Sequence, residues 1–204
     1  MRRTAVQEVL FASGLCRSRL GSDSKGNGIG LQTGTWMGGG TTPDLICDIT
    51  AIPEPNQSFD AILYTEILAH VLDPVQALRE FSRLLKPGGV LLLTAPFCSL
   101  SHFTPQRFST GFNRYWYEMH LEKLGFDVEE ISANGNFFEY LAQELRRLPW
   151  TTSQYCSMAV FRGYRLAHYL VVVPLLGILN SMTKREHGSS SLLCFGYHVA
   201  ARRS

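Results

Sequence analysis

The stretch from Pro43 to Pro96 constrains the fold more than any other part of this chain. It reads PDLICDITAIPEPNQSFDAILYTEILAHVLDPVQALREFSRLLKPGGVLLLTAP. Three short apolar runs stand in it: Leu45-Ile46-Cys47, Ala61-Ile62-Leu63-Tyr64 and Val90-Leu91-Leu92-Leu93. Each is bounded by turn residues, the pattern of strands buried on both faces of a parallel sheet. The segment between the second and third runs reads as a helix. Asp73 is placed to cap it, and Pro74 sits at the first helical position, where the missing N–H costs nothing. Ala77, Leu78, Phe81, Leu84 and Leu85 share one face. Arg79, Arg83 and Lys86 suit the negative end of the helix dipole, and Pro87-Gly88-Gly89 stops the helix. Strand, helix and strand with a short exit loop form a right-handed βαβ unit of an open α/β sheet.

The 204 residues suit one domain with a sizeable core. At 45% apolar and 18% charged, the composition is that of an ordinary folded protein. A formal net charge of +2 and the lack of any long basic run give no sign of nucleic-acid binding. Cysteines 16, 47, 98, 156 and 194 are scattered and odd in number, with no C-x-x-C pair. That spacing argues against a metal site or a disulfide framework and fits a reducing, cytoplasmic compartment. Gln7 and Glu8 interrupt any apolar core of a signal peptide.

Taken together, Asp48-Ile49, Ile52-Pro53, Ser58-Phe59-Asp60, Thr65-Glu66, His70-Val71, Pro74, Glu80, Arg83 to Gly89 and Thr94-Ala95-Pro96 closely resemble one family. This is the class I S-adenosylmethionine-dependent methyltransferases, in particular their small "type 11" group. A looser likeness continues through Gly111-Phe112, Tyr115 to Tyr117, Leu124-Gly125-Phe126 and Gln143-Glu144 to Phe195–Val199. The resemblance implies an α/β fold with an incomplete Rossmann-like methyltransferase sheet, flanking helices and a helical insertion before the last strand. It covers residues 43–204 as a methyltransferase-like domain. Residues 1–42 form a poorly defined segment rich in Gly, Ser and Thr towards its end.

The resemblance breaks in that segment. Residues 1–20 read as one short helix with Val6, Val9, Leu10 and Phe11 apolar, and residues 21–42 as a loop. The family opens with a strand and a glycine-rich turn, followed about one strand later by an acid that binds the ribose hydroxyls. Gly26 to Gly30 does not serve as that turn, since Ser22 to Lys25 is not a strand. Too few positions separate Gly30 from Asp48 for the ~30 residues that one βαβ unit takes. Ile29 to Gln32 aligns better with the second strand, which would put the neutral Gln32 near the place of the ribose acid. The expectation is of a chain without the first strand and its turn, through truncation, a wrong start site or decay. Weak cofactor binding and self-association would follow from the exposed sheet edge.

Beyond Pro96, Tyr115 to Leu124 reads as a helix, Phe126 to Ile131 as a strand and Phe137 to Leu148 as a helix with Phe138, Leu141, Leu145 and Leu148 inward. Leu166 to Met182 is apolar nearly all round. It reads first as a buried helix covering the sheet and second as a peripheral membrane contact through 166–182; Pro174 and the length weaken a true span. Leu192 to Ala200 closes the sheet.

By resemblance, Asp48 accepts from the adenine amine of S-adenosylmethionine and the Ile49 N–H reads a ring nitrogen. Thr65 and Glu66 face the methionine end and the cation. Each has a plainer reading, a turn Asp and a helix N-terminal acid. His70 is the candidate general base, although Ala69 stands where many relatives carry the Glu that would orient it. His102, Tyr115 and Trp116 are candidate substrate-pocket residues, with core packing as the alternative. No metal is expected. The implied activity is methyl transfer to a small-molecule or lipid-like acceptor. The competing reading is a non-catalytic interaction or scaffold domain. A nicotinamide oxidoreductase is disfavoured, since no G-x-G-x-x-G follows a strand.

Overall fold

The computed structural model describes residues 9–13, 28–33, 45–101, 107–156, 164 and 168–204. The chain divides into two compact units, Met1–Ser132 with Gly196–Ser204, and Ala133–Phe195.

The first unit is built on a sheet of seven strands among the described residues. They are β1 (Val9–Ser13), β2 (Gly28–Thr33), β3 (Leu45–Asp48), β4 (Phe59–Thr65), β5 (Leu85–Pro96), β6 (Phe126–Asn134) and β7 (Gly196–Arg203). Their order across the sheet is β3-β2-β1-β4-β5-β7-β6. β4 lies parallel to β1 and β5, with Ser13 beside Thr65 and Thr65 beside Thr94. β7 runs antiparallel to β5, pairing Leu91 with Ala201. The mixed α/β sheet with flanking helices is therefore present as expected.

The amino-terminal expectations need correction. Val9–Ser13 is a strand, not part of a helix, and it fills the place beside β4 where no first strand was expected. Val-Leu-Phe-Ala-Ser has no period to separate helix from strand; the backbone of β4 supplies the ladder that settles it. Gly28–Thr33 is a strand rather than loop, as the alignment of Ile29 to Gln32 with a second strand implies, but it runs antiparallel to both β1 and β3.

Helix α1 (Pro74–Leu84) begins as its sequence requires, with the Asp73 carboxylate accepting from the Gln76 N–H at 2.9 Å. It ends at Leu84, and Leu85 already belongs to β5. Gly88 takes a left-handed φ of 77° just before the apolar run. Ala77, Leu78, Phe81 and Leu84 are buried on α1, as are Ile62, Tyr64, Leu91 and Leu93 on β4 and β5. The rings of Phe81 and Tyr64 lie 4.9 Å apart. Each Leu, Ile or Phe side chain among these buried residues contributes about 1.5–3 kcal/mol on burial.

The family-pattern residues Glu80 and Arg83 form a clip. Glu80, itself buried, accepts from the Ile52 N–H at 2.8 Å and from Arg83 at 2.6 Å. Arg83 donates onward to the carbonyls of Ile52 and Glu54 and to Asn56. The pair thereby ties the β3–β4 loop to α1, and Lys86 pairs with Asp60 at 3.0 Å. Helix α2 (Arg114–Lys123) follows, capped by Asn113 accepting from the Trp116 N–H.

The second unit contains helix α3 (Phe137–Tyr155), opened by a capping box of Asn136 and Glu139. A π turn (His168–Val172) leads into helix α4 (Val173–Thr183), which packs on α3. Two expectations fail here. Leu141 and Leu148 are exposed, and the buried position of α3 is Ala142. The apolar segment is not a buried helix either: only Val172 and Leu179 are buried in the π turn and α4, because α3 covers one side of a helix that is apolar all round. No helix among the described residues is long and apolar enough to cross a membrane.

Candidate functional site

β1, β3, β4 and β5 point the same way, since β2 reverses direction between β1 and β3. Their carboxyl ends, Ser13, Asp48, Thr65 and Pro96, lie along one edge of the sheet, the edge where open α/β sheets take ligands. The reversed β2 brings Gly28 beside Asp48 at that edge and carries Thr33 back beside Leu10. Gln32 sits beside Phe11, inside the ladder, so the expected match with a ribose acid at a strand end does not hold.

Asp48 ends β3 and is exposed. Its Oδ1 accepts from the Thr50 N–H at 2.9 Å and the Thr50 hydroxyl at 2.8 Å, a turn-forming role. Its Oδ2 has no hydrogen-bond partner among the described residues. Ile49 is buried behind it. Partial burial, then the charge of Asp48, pushes the Cys47 thiol up, which favours the thiol over the reactive thiolate.

Glu66 follows β4 with φ at 59°, in the left-handed region that non-glycine residues seldom adopt. Two bonds hold it there. Its N–H donates to the Thr94 carbonyl at 2.8 Å, and its Oε1 accepts from the Thr94 hydroxyl at 3.0 Å. The chain then makes a 3-10 turn at Leu68–His70, with Leu68 and Ala69 buried and His70 partly buried. The Ala69 carbonyl accepts from the N–H groups of Phe108 and Ser109, at 3.0 and 3.2 Å. The segment carrying His70 is thus stapled to the loop after β5.

That loop is fixed at its other end by Gly111. At a φ of 152°, a Cβ there would collide with the carbonyls of Pro96 and Phe97, and the Phe112 N–H donates to the Pro96 carbonyl at 2.9 Å. Arg107 joins the Ser99 hydroxyl to the Thr110 carbonyl across the loop, and burial lowers its pKa from the usual guanidinium value.

The expected substrate-pocket residues part company. Tyr115 is 73% exposed. Trp116 packs between Phe112 and His120, with ring centroids at 4.4 and 4.7 Å. His102 lies outside the described residues. Thr94, Phe108, Ser109 and Arg107 were not singled out as site residues. Only the Thr94-Ala95-Pro96 pattern gave a signal for any of them, because the others act through backbone groups or loop geometry.

Residues 39–93 match the methyltransferase domain family. Demethylmenaquinone methyltransferase of Mycobacterium tuberculosis (strain ATCC 25618 / H37Rv) is 32% identical over 107 residues, which cover 52% of this chain and 42% of that protein. Its counterpart in Mycobacterium sp. (strain KMS) is 30% identical over the same length, covering 52% and 43%. The chain therefore spans less than half the length of these curated relatives. A solved structure, a putative sarcosine dimethylglycine methyltransferase from Galdieria sulphuraria, aligns with 77% of this chain and 57% of its own at 16% identity and a TM-score of 0.43. Over residues 39–93, then, this chain is similar to the methyltransferase domain family, and the curated relatives that it matches are methyltransferases.

Proposed function

We propose that the chain binds S-adenosylmethionine along the β1–β3–β4–β5 edge and transfers its methyl group to a small, lipid-like acceptor. The observation that carries this reading is the pair of acidic residues at strand ends, Asp48 and Glu66, on the ligand edge of a methyltransferase-family sheet. The donor set suits the cofactor. The unpartnered Oδ2 of Asp48 can accept from an adenine amine, and Glu66, anchored by Thr94, presents negative charge to a cation. When bound, S-adenosylmethionine supplies an electrophilic methyl group on a sulfonium. The chain's own part is to align the acceptor and take its proton. His70 is the group assigned to that proton, at its side-chain imidazole, held by the Ala69 staple to the loop after β5. The likeness to demethylmenaquinone methyltransferases supports a quinol-like ring with an apolar tail as the acceptor class.

One observation favours the second reading, a non-catalytic domain of the same fold. The reversal of β2 removes Gln32 from the ligand edge and leaves the ribose without its expected partner. Titration calorimetry with S-adenosylmethionine, followed by a methyl-transfer assay on short-chain quinols, separates the two. The catalytic reading expects binding that Asp48→Ala weakens by about 1–3 kcal/mol, with turnover lost in His70→Ala. Absence of binding, or binding without turnover on any quinol, moves the assignment to the second reading.

A further inference from the structure

The second unit carries a surface that methyl transfer does not use. In the π turn and α4, Val172 and Leu179 are buried, while Tyr169, Leu170, Val173, Ile178 and Met182 are exposed. Leu170 is 68% and Ile178 58% exposed. Leu170, Val173 and Ile178 fall on the half of the helical circuit opposite Val172 and Leu179, so they form one outward apolar stripe, with Met182 at its border. A contiguous exposed patch of this kind marks an interaction site rather than ordinary surface.

Charge selects the occupant. No Asp or Glu occurs between residues 145 and 185, although an even spread of the chain's 17 acids would put several there. The same stretch holds Arg146, Arg147, Arg162, Arg165, Lys184 and Arg185. Of these, Arg147 is engaged by Glu144 at 3.3 Å, whereas Lys184 and Arg185 are exposed at the end of α4. Glu186, the next acid, is turned to the Ser189 N–H at 2.7 Å. Trp150 and Tyr155 near the end of α3 are exposed as well, and aromatic rings with a polar edge favour the water–lipid boundary. The π turn of five residues and the helix of eleven together rise about 24 Å, short of the ~30 Å hydrocarbon layer.

We propose that this face lies in the surface of an anionic lipid bilayer, with the apolar stripe at the acyl boundary and Lys184 and Arg185 on the phosphate headgroups. An apolar stripe flanked by cations is the arrangement of helices that rest in the plane of a membrane. Vesicle binding needs neither cofactor nor turnover, so its outcome is independent of the proposed methyl transfer.

Flotation of the full chain with phosphatidylcholine vesicles, with and without added phosphatidylglycerol, tests the proposal. Flotation is expected only with phosphatidylglycerol, and raising the salt should release the protein. Lys184→Gln and Arg185→Gln should each weaken binding roughly fivefold. Leu170→Asp with Ile178→Asp should abolish it while circular dichroism stays unchanged. If that double variant loses its fold, the lipid and salt dependence of the unaltered chain decides. Three results overturn the proposal: no flotation with phosphatidylglycerol at low salt, flotation indifferent to salt and headgroup charge, or a stable dimer in solution that Leu170→Asp with Ile178→Asp dissociates. The last would assign the face to a second copy of the chain.

Discussion

The β4–α1–β5 block and helix α4 are both written in apolar residues, yet only one of them is a core. In the block, Phe81, Leu78, Leu84, Ile62 and Tyr64 are almost wholly removed from water. Its charged residues are used as well: Glu80 and Arg83 hold the β3–β4 loop, and Lys86 holds Asp60. In α4, one side meets α3 and the other meets solvent. An apolar sequence therefore states a demand for burial without saying what meets it. Polar punctuation marks the difference: α1 has a capping Asp and a charged outer face, whereas the exposed side of α4 has no charge until Lys184.

The sharpest way to break this comparison is to truncate one apolar side chain in each region. Phe81→Ala should destabilise the chain by about 3–5 kcal/mol through the cavity left against Tyr64, while Ile178→Ala should change stability by less than about 0.5 kcal/mol. Urea unfolding of both variants reads the contrast; equal losses would mean that Ile178 is as enclosed as Phe81. Next in size is Glu80→Ala. It strips the Ile52 N–H and Arg83 of a charged acceptor and should cost about 2 kcal/mol by the same measurement. A neutral result would reduce the clip to a surface ion pair.

Glu66→Gly should act in opposite directions on stability and binding. Glycine accepts a φ of 59° without strain, so the variant should be more stable by up to about 1 kcal/mol. S-adenosylmethionine binding should weaken as the carboxylate is lost. A rise in melting temperature without loss of affinity would show that Glu66 takes no part in the site.

The smallest effect concerns pH. Burial, then Lys123 and Arg79, hold the His120 imidazole below its usual value of 6.5. The folded state thus prefers the neutral ring, and the unfolded chain takes up the proton first. The contribution to stability is intact above pH 6.5 and is lost as the pH falls from there through the folded value. His120→Gln should flatten that part of the melting-temperature profile; an unchanged slope would point to another group.

Much of the central block was legible because its signals are local. Asp73, Pro74 and the α1 periodicity require only neighbouring residues to act, and so do the glycines before the apolar run of β5. At the amino terminus, the strand at Val9–Ser13 and the direction of the strand at Gly28–Thr33 were not legible. Val9–Ser13 is a strand because β4 lies beside it, and nothing in five consecutive small and apolar residues announces that partner. Gly28–Thr33 has two glycines in six positions and weak strand propensity, and its reversed direction depends wholly on pairing with β1 and β3. At the proposed site, Asp48, Thr65, Glu66 and His70 were named through the family pattern. The staple from Ala69 to Phe108 and Ser109 was hidden, because it is made of backbone groups that every residue possesses.

The position of β7 also bears on how such a chain is made. Leu91 is synthesised long before Ala201, its ladder partner, and the whole of Ala133–Phe195 emerges between β6 and β7. Until β7 arrives, β5 presents an open row of N–H and carbonyl groups beside the apolar Leu91 and Leu93. β7 enters as a middle strand between β5 and β6, and Arg203 at its end binds the carbonyls of Ser82 on α1 and Gly125 just past α2. Closure of the sheet is thus a late, long-range step, of the kind that slows folding. A chain that has made β5 but not yet β7 carries an open strand edge over the roughly one hundred residues between them, the kind of exposure that makes a partly folded species prone to association.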